Sequence, residues 1–314
     1  MSFPYRVATT ALAVLAVPAL AGCGAFSEDG GGSDGKPVIA AGLYPLQYVA
    51  ERVAGDAFEV ENLTTPGGEP HDLTLDVGET ATVADSALLV HVGGLQPSVD
   101  EAAEEIAGGE VLDAATVVDL LPFDQDGHEH GEDDHGDDGH DHGEDDPHFW
   151  LDPLRMADLG DAIAERLAEI DPDGAEDFER NAADLRADLE QLDAEYAEGL
   201  ADCAVTTVVT NHDAFGYLEK YGLHLESITG LSPDAEPSPA ALAELQHLIE
   251  TEQITTVFSE SLVSAKSAET LAADAGVRTE VLDTVEGLSD ETADEDYLSL
   301  MRRNLAKLQE ANRC

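Results

Sequence analysis

Between Asp173 and Leu200 the chain carries Phe178, Leu185, Leu189, Leu192 and Tyr196 at spacings of three, four and seven, with charged residues on the remaining faces. Such a pattern belongs to a long amphipathic helix. Its position is what constrains the fold. One series of short apolar runs and helical segments ends just before it, and a second begins directly after it. A single helix between two such series predicts an α/β protein of two lobes with mostly parallel sheets, joined by one long rigid helix.

In the first series, Val38–Ala41 reads as a buried strand ending at Gly42, and Tyr44–Ala54 as a helix stopped by Gly55. Phe58–Leu63, Ala87–Val92 and Thr116–Leu120 read as the second, third and fourth strands, and Leu154–Ile170 as a helix. In the second series, Val205–Val209, Leu223–Ile228, Ile254–Phe258 and Val277–Leu282 are strands, and Pro239–Glu250, Ala265–Ala275 and Tyr297–Asn312 are helices. The expected organisation is an N-terminal lobe over 37–172, a linking helix over 173–200 and a C-terminal lobe over 201–314.

Parallel sheets bind ligands beyond the carboxyl ends of their strands. His71 closes the turn-rich loop from Thr64 to Asp72, and His212 follows the Val205–Val209 strand at once, in Thr210-Asn211-His212-Asp213-Ala214-Phe215-Gly216-Tyr217. His148 sits beside an aromatic pair and between prolines, in Pro147-His148-Phe149-Trp150-Leu151-Asp152-Pro153, where the chain re-enters packed structure. His91 lies inside an apolar run and reads as a strand histidine with its own partner. Glu260 and Asp283 stand at the ends of later strands. Three imidazoles and one carboxylate suit Zn²⁺ in a crevice between the lobes, Mn²⁺ preferring more oxygen. The expected ligands are His71, His148, His212 and Asp283, with Glu260 holding an imidazole or a backbone amide from behind; the reverse assignment of the two acids is the alternative. Neutral imidazoles must bind, so affinity should fall below about pH 6.5.

The 23 residues from Asp124 to Asp146 comprise twelve acids, five histidines (His128, His130, His135, His140, His142), five glycines and one glutamine. With nothing apolar to bury, this stretch is expected as a solvated loop. Its closely spaced imidazoles on an anionic backbone could collect borderline metals loosely, as an auxiliary to the ordered site.

The first 23 residues read as an export signal, with Arg6 ahead of an apolar run that closes in Leu20-Ala21-Gly22-Cys23. That run is too short to span a bilayer, and its last four residues resemble a lipobox, in which Cys23 would carry lipid. Residues 24–36, rich in Gly, Ser and Asp, read as a tether. Cys203 and Cys314 then remain as an even pair in an oxidising compartment, a disulfide being expected and free thiols or a thiolate metal site the alternative. The net charge of −54 excludes nucleic acid as a partner and suggests a salty habitat, where screening relieves self-repulsion.

Taken together and in order, the lipobox, Pro70-His71, the His-rich insert, the segments around His148 and His212, Phe258-Ser259-Glu260 and Leu282-Asp283 resemble the zinc and manganese solute-binding lipoproteins of bacterial ABC transporters. The resemblance runs from about Pro37 to Cys314. It implies two α/β lobes on one rigid helix, ligand roles for His71, His148, His212 and Asp283, and delivery of Zn(II) to a permease and its ATPase. It further implies a monomer held to the outer face of the cell membrane by its lipid. Histidine at the third ligand position, with a His-rich loop, is similar to the zinc members. An adhesin or zinc buffer of the same fold is the alternative. A zinc hydrolase is disfavoured, since no His-Glu-x-x-His helix occurs and no Gly-x-Ser-x-Gly stands at a strand-to-helix elbow.

Overall fold

The structure is a computed structural model that describes residues 35–123, 145–233 and 235–314. The export signal with Cys23, and the insert histidines His128, His130, His135, His140 and His142, lie outside the described residues.

The first sheet is built from β1 (Val38–Ala41), β2 (Glu59–Asn62), β3 (Leu88–His91) and β4 (Glu110–Asp113), all parallel, in the order β2-β1-β3-β4. Parallel pairing needs crossovers, supplied here by α1 (Tyr44–Ala54), α2 (Val77–Asp85) and α3 (Pro97–Glu105). Pro45 sits in the first turn of α1, and Gly55, at φ 55°, ends it. The fourth strand is therefore not Thr116–Leu120, as the β-branched run suggested. Asp113 Oδ1 accepts from the Ala115 N–H at 2.9 Å, and the Thr116 hydroxyl donates to the Asp113 carbonyl at 2.7 Å. These local bonds turn residues 114–116 into a 3-10 helix and leave β4 as the strand.

The chain then forms a two-residue antiparallel ladder, β5 (Leu121–Pro122) with β6 (Asp145–Asp146). The expected solvated loop thus ends earlier than Asp146, whose side chain is buried.

Helices α4 (Pro153–Ile170) and α5 (Ala175–Gly199) follow. The second sheet comprises β7 (Thr207–Thr210), β8 (His224–Ser227), β9 (Thr256–Ser259) and β10 (Arg278–Val281), parallel, in the order β10-β9-β7-β8. Helices α6 (Pro239–Glu252), α7 (Lys266–Ala275) and α8 (Tyr297–Asn312) complete it.

At about 1.5 Å per residue, the 25 residues of α5 make a rod long enough to touch both sheets' helices. It packs on α4, α1 and α8. Phe178, Leu185, Leu189, Leu192 and Tyr196 are all buried, and they belong to one hydrophobic core running from Ile39 to Ala311. A Cβ added at Gly160 would stand 3.2 Å from Leu185 Cδ2, so glycine lets α4 and α5 approach closely. Polar bonds fix the rod at both ends. Asn181 Nδ2 donates to the Val53 carbonyl at 3.0 Å, and the Tyr196 hydroxyl donates to that of Met301 at 2.7 Å. Cys203 and Cys314 form the expected disulfide, across 111 residues.

Candidate metal centre

Four segments deliver side chains to one point between the sheets. His71 comes from the loop after β2, His148 from the residues between β6 and a 3-10 turn over Phe149–Leu151, His212 from directly behind β7, and Glu286 from the loop after β10. One ligand atom from each lies within 4.8 Å of all the others. His148 Nε2 is 3.3 Å from His71 Nε2 and 3.4 Å from His212 Nε2. Glu286 Oε1 is 3.8, 3.7 and 3.8 Å from the Nε2 atoms of His71, His148 and His212. Zinc bonds of about 2.0–2.1 Å in a tetrahedron require donor separations of about 3.3–3.4 Å. These five separations already stand at or slightly beyond that spacing.

The rings are aimed by carboxylates. Asp146 Oδ1 accepts from both the backbone N–H and the Nδ1 of His148, at 2.9 and 2.7 Å. Glu260 accepts from His212 in the same way, Oε1 from the backbone at 2.9 Å and Oε2 from Nδ1 at 2.7 Å. With Nδ1 held by a carboxylate, Nε2 is the nitrogen each ring presents to a cation. The His148 ring also meets the edge of the Trp150 indole, whose N–H donates to the Thr284 carbonyl at 2.8 Å. That bond ties the His148 segment to the segment carrying Glu286.

Burial sets the charges. The side chains of His148, His212 and Glu286 are 0%, 1% and 2% exposed, while that of His71 is 17% exposed, so His71 marks the way in. Burial, reinforced by the His212 charge, drives the His148 pKa well below its ordinary value and keeps the ring neutral. Burial also disfavours the charged His212 ring, but the Glu260 hydrogen bond and the surrounding carboxylates outweigh it and raise the pKa to about 9. For Glu286 burial opposes ionisation, yet the three histidines overcome it and hold the pKa at about 2. Burial lifts Asp146 to about 7. Glu286 Oε1 is a buried carboxylate oxygen without a hydrogen-bond partner among the described residues, aimed at three imidazole nitrogens. Such an atom is costly unless a cation satisfies it.

The structure brings together His71, His148 and His212, and it does not bring Asp283 to them. Asp283 is spent elsewhere: Oδ1 accepts from the Val285 N–H at 2.9 Å, and Oδ2 accepts from Ser261 Oγ and Arg303 Nη2, each at 3.2 Å. The acid beside the histidines is Glu286, three residues on, which the sequence reading did not single out. Glu260 lies behind His212, on both its ring and its backbone. His91, within β3, pairs through Nδ1 with Asp100 Oδ1 at 3.1 Å, as expected of a satisfied strand histidine. Asp146 was also passed over, because it ends a run of acids that all look solvated.

Residues 39–311 match the model of the family described as zinc-uptake complex component A, periplasmic. The chain belongs to this family. Among its relatives, the zinc-binding lipoprotein AdcA of Streptococcus pneumoniae is 38% identical over 282 residues, covering 88% of this chain and 56% of that protein. The chain thus spans little more than half the length of AdcA. The high-affinity zinc uptake system protein ZnuA of Bacillus subtilis is 33% identical over 300 residues, covering 93% of each. The Zn(II)-bound ZnuA-like domain of S. pneumoniae AdcA superposes with a TM-score of 0.72 at 35% identity, covering 89% of this chain and all of that domain. The laminin-binding protein Lmb of Streptococcus agalactiae, described as a bifunctional protein with adhesin and metal transporting activity, superposes with a TM-score of 0.75 at 26% identity, covering 88% and 99%. Zinc-uptake component A proteins are metal-binding transport components and not enzymes.

Proposed function

We propose that the protein captures Zn(II) outside the cytoplasm and passes it to an ABC-type permease driven by an ATPase, bound to the membrane through lipid on Cys23. The observation that carries the metal reading is the unpartnered, buried Glu286 Oε1 at 3.7–3.8 Å from three Nε2 atoms. Three nitrogens and one oxygen favour zinc over manganese. The fourth position is filled by a protein carboxylate and the donors are buried, which suits holding a metal rather than activating water. The relatives named for zinc uptake support transport. Two of three cysteines are joined to each other, which leaves Cys23 for the lipid.

Chelator competition in molar salt should find one tight Zn(II) site per chain, lost in His148→Ala. A chain without that site would overturn the reading. Cells lacking the protein should accumulate less zinc at limiting supply, with recovery on return of the wild-type gene but not of His148→Ala. Fatty-acid labelling should disappear in Cys23→Ser. The adhesin reading rests on the likeness to Lmb, and laminin binding that persists in His148→Ala would separate it from metal capture.

A further inference from the structure

His71 is held differently from its two partners. Asp146 and Glu260 fix the rings of His148 and His212 through Nδ1, whereas among the described residues no hydrogen bond reaches His71 Nδ1. What is held is the backbone around it. The His71 N–H donates to Glu69 Oε1 at 2.9 Å, Gln96 Nε2 donates to the Pro70 carbonyl at 3.2 Å, and Ser98 Oγ donates to the Leu73 carbonyl at 2.6 Å. Gln96 is the N-cap residue of α3 and Ser98 lies in its first turn, so the start of that helix grips the loop on both sides of His71.

Gln96 is the unusual member. It is 1% exposed, and its Nε2 stands 3.2, 3.1 and 3.2 Å from the Gly42 carbonyl, Thr64 Oγ1 and the Pro70 carbonyl, three acceptors for two protons. The Gly42 carbonyl also accepts from the Thr64 hydroxyl at 2.7 Å, so that group is satisfied without the glutamine. Gln96 Oε1 is buried with no partner among the described residues, and a Cβ added at Gly42 would approach it to 2.6 Å. An interior chosen for stability alone would not leave that oxygen unpaired. The amide joins the ends of β1 and β2 to the residue that precedes a ligand.

We infer that Gln96 is a positioning residue for metal capture: its bond to the Pro70 carbonyl fixes the backbone that aims His71 Nε2 at the other donors, and this hold governs how fast bound metal leaves. The inference rests on the site being the zinc site proposed above. His71 is the ligand nearest solvent, so release begins when it detaches, and a looser loop detaches sooner. Groups that orient metal ligands in this indirect way contribute roughly 10-fold to 100-fold in affinity.

The test measures zinc release into excess chelator, with affinity by competition, for the full chain, Gln96→Met, His71→Ala and the double variant. Gln96→Met should release zinc roughly 10-fold to 100-fold faster, and should add less than about twofold when His71 is already alanine. Substitution with Co(II) should show weaker visible absorption in Gln96→Met, as the tetrahedron loosens. Unchanged release, or equal acceleration with and without His71, would overturn the inference. If Gln96→Met does not fold, Ser98→Ala takes its place: faster release that depends on His71 upholds the grip of α3, and unchanged release refutes it. A wild-type chain with no tight zinc site would defeat the proposed function itself, and would be seen before any Gln96 variant is compared.

Discussion

A single oxygen of Asp146 receives both the backbone N–H and the Nδ1 of His148, at 2.9 and 2.7 Å. One atom therefore sets the direction of the main chain and the tautomer of the ring at the most deeply buried ligand. Asp146→Ala should weaken Zn(II) binding roughly 10-fold to 100-fold by chelator competition, through orientation alone, since Asp146 is not among the four donors.

Asp283 is the fourth ligand expected from the sequence and Glu286 the acid found beside the histidines, and their contacts separate them. Glu286→Gln should remove most of the tight binding, while Asp283→Asn should bind zinc much closer to wild type. Losing the bonds to Val285, Ser261 and Arg303 should instead lower folding stability by about 1–3 kcal/mol, read by denaturant unfolding of the metal-free protein. The opposite pattern would restore Asp283 to the site.

Zinc must displace a proton from His212, whose pKa in the metal-free fold is raised to about 9. Between about pH 7 and 8.5 one proton should leave per zinc bound from this ring, and affinity should rise about tenfold per pH unit before levelling. Titration in a weakly buffered indicator checks this. The sign for stability is opposite. A histidine whose folded pKa is raised stabilises the fold fully below its unfolded value of about 6.5. The metal-free protein should therefore lose that contribution as pH climbs through 9.

The Cys203–Cys314 disulfide closes a 111-residue separation, which by chain entropy contributes about 4–5 kcal/mol. The double serine variant should unfold at correspondingly lower denaturant concentration while keeping its zinc affinity, because neither cysteine touches the four donors.

With a net charge of −54, the metal-free protein should gain thermal stability steadily from low to molar salt. A melting temperature independent of salt would remove the halophilic reading.

The spine, the strands of both series apart from the fourth of the first, and the meeting of three histidines were legible because each follows from a local rule. Buried helix positions repeat at three and four, parallel strands are short apolar runs, and ligands collect at strand ends. The acid that joins the three histidines was not legible, because its place depends on how one turn is spent. Asp283 uses a carboxylate oxygen on the N–H two residues ahead, and Val285 adopts φ 59°, a left-handed conformation rare for a β-branched residue. That combination carries the chain past Asp283 and presents Glu286. No pattern of residue types announces it. Asp146 was hidden for another reason: among twelve acids in one stretch, only pairing with Leu121 in β5 and β6 marks one as interior.

The shared core along α5 also bears on how a partner could tell a loaded protein from an empty one. Lobes welded by Phe178, Leu185, Leu189, Leu192 and Tyr196 should keep nearly the same outline with and without metal. A conformational signal can be no larger than the difference between the states that carry it. Under the proposed function, cargo should then be announced locally, at the rim where the His71 edge meets solvent, and a permease would inspect the mouth of the site rather than the silhouette of the molecule.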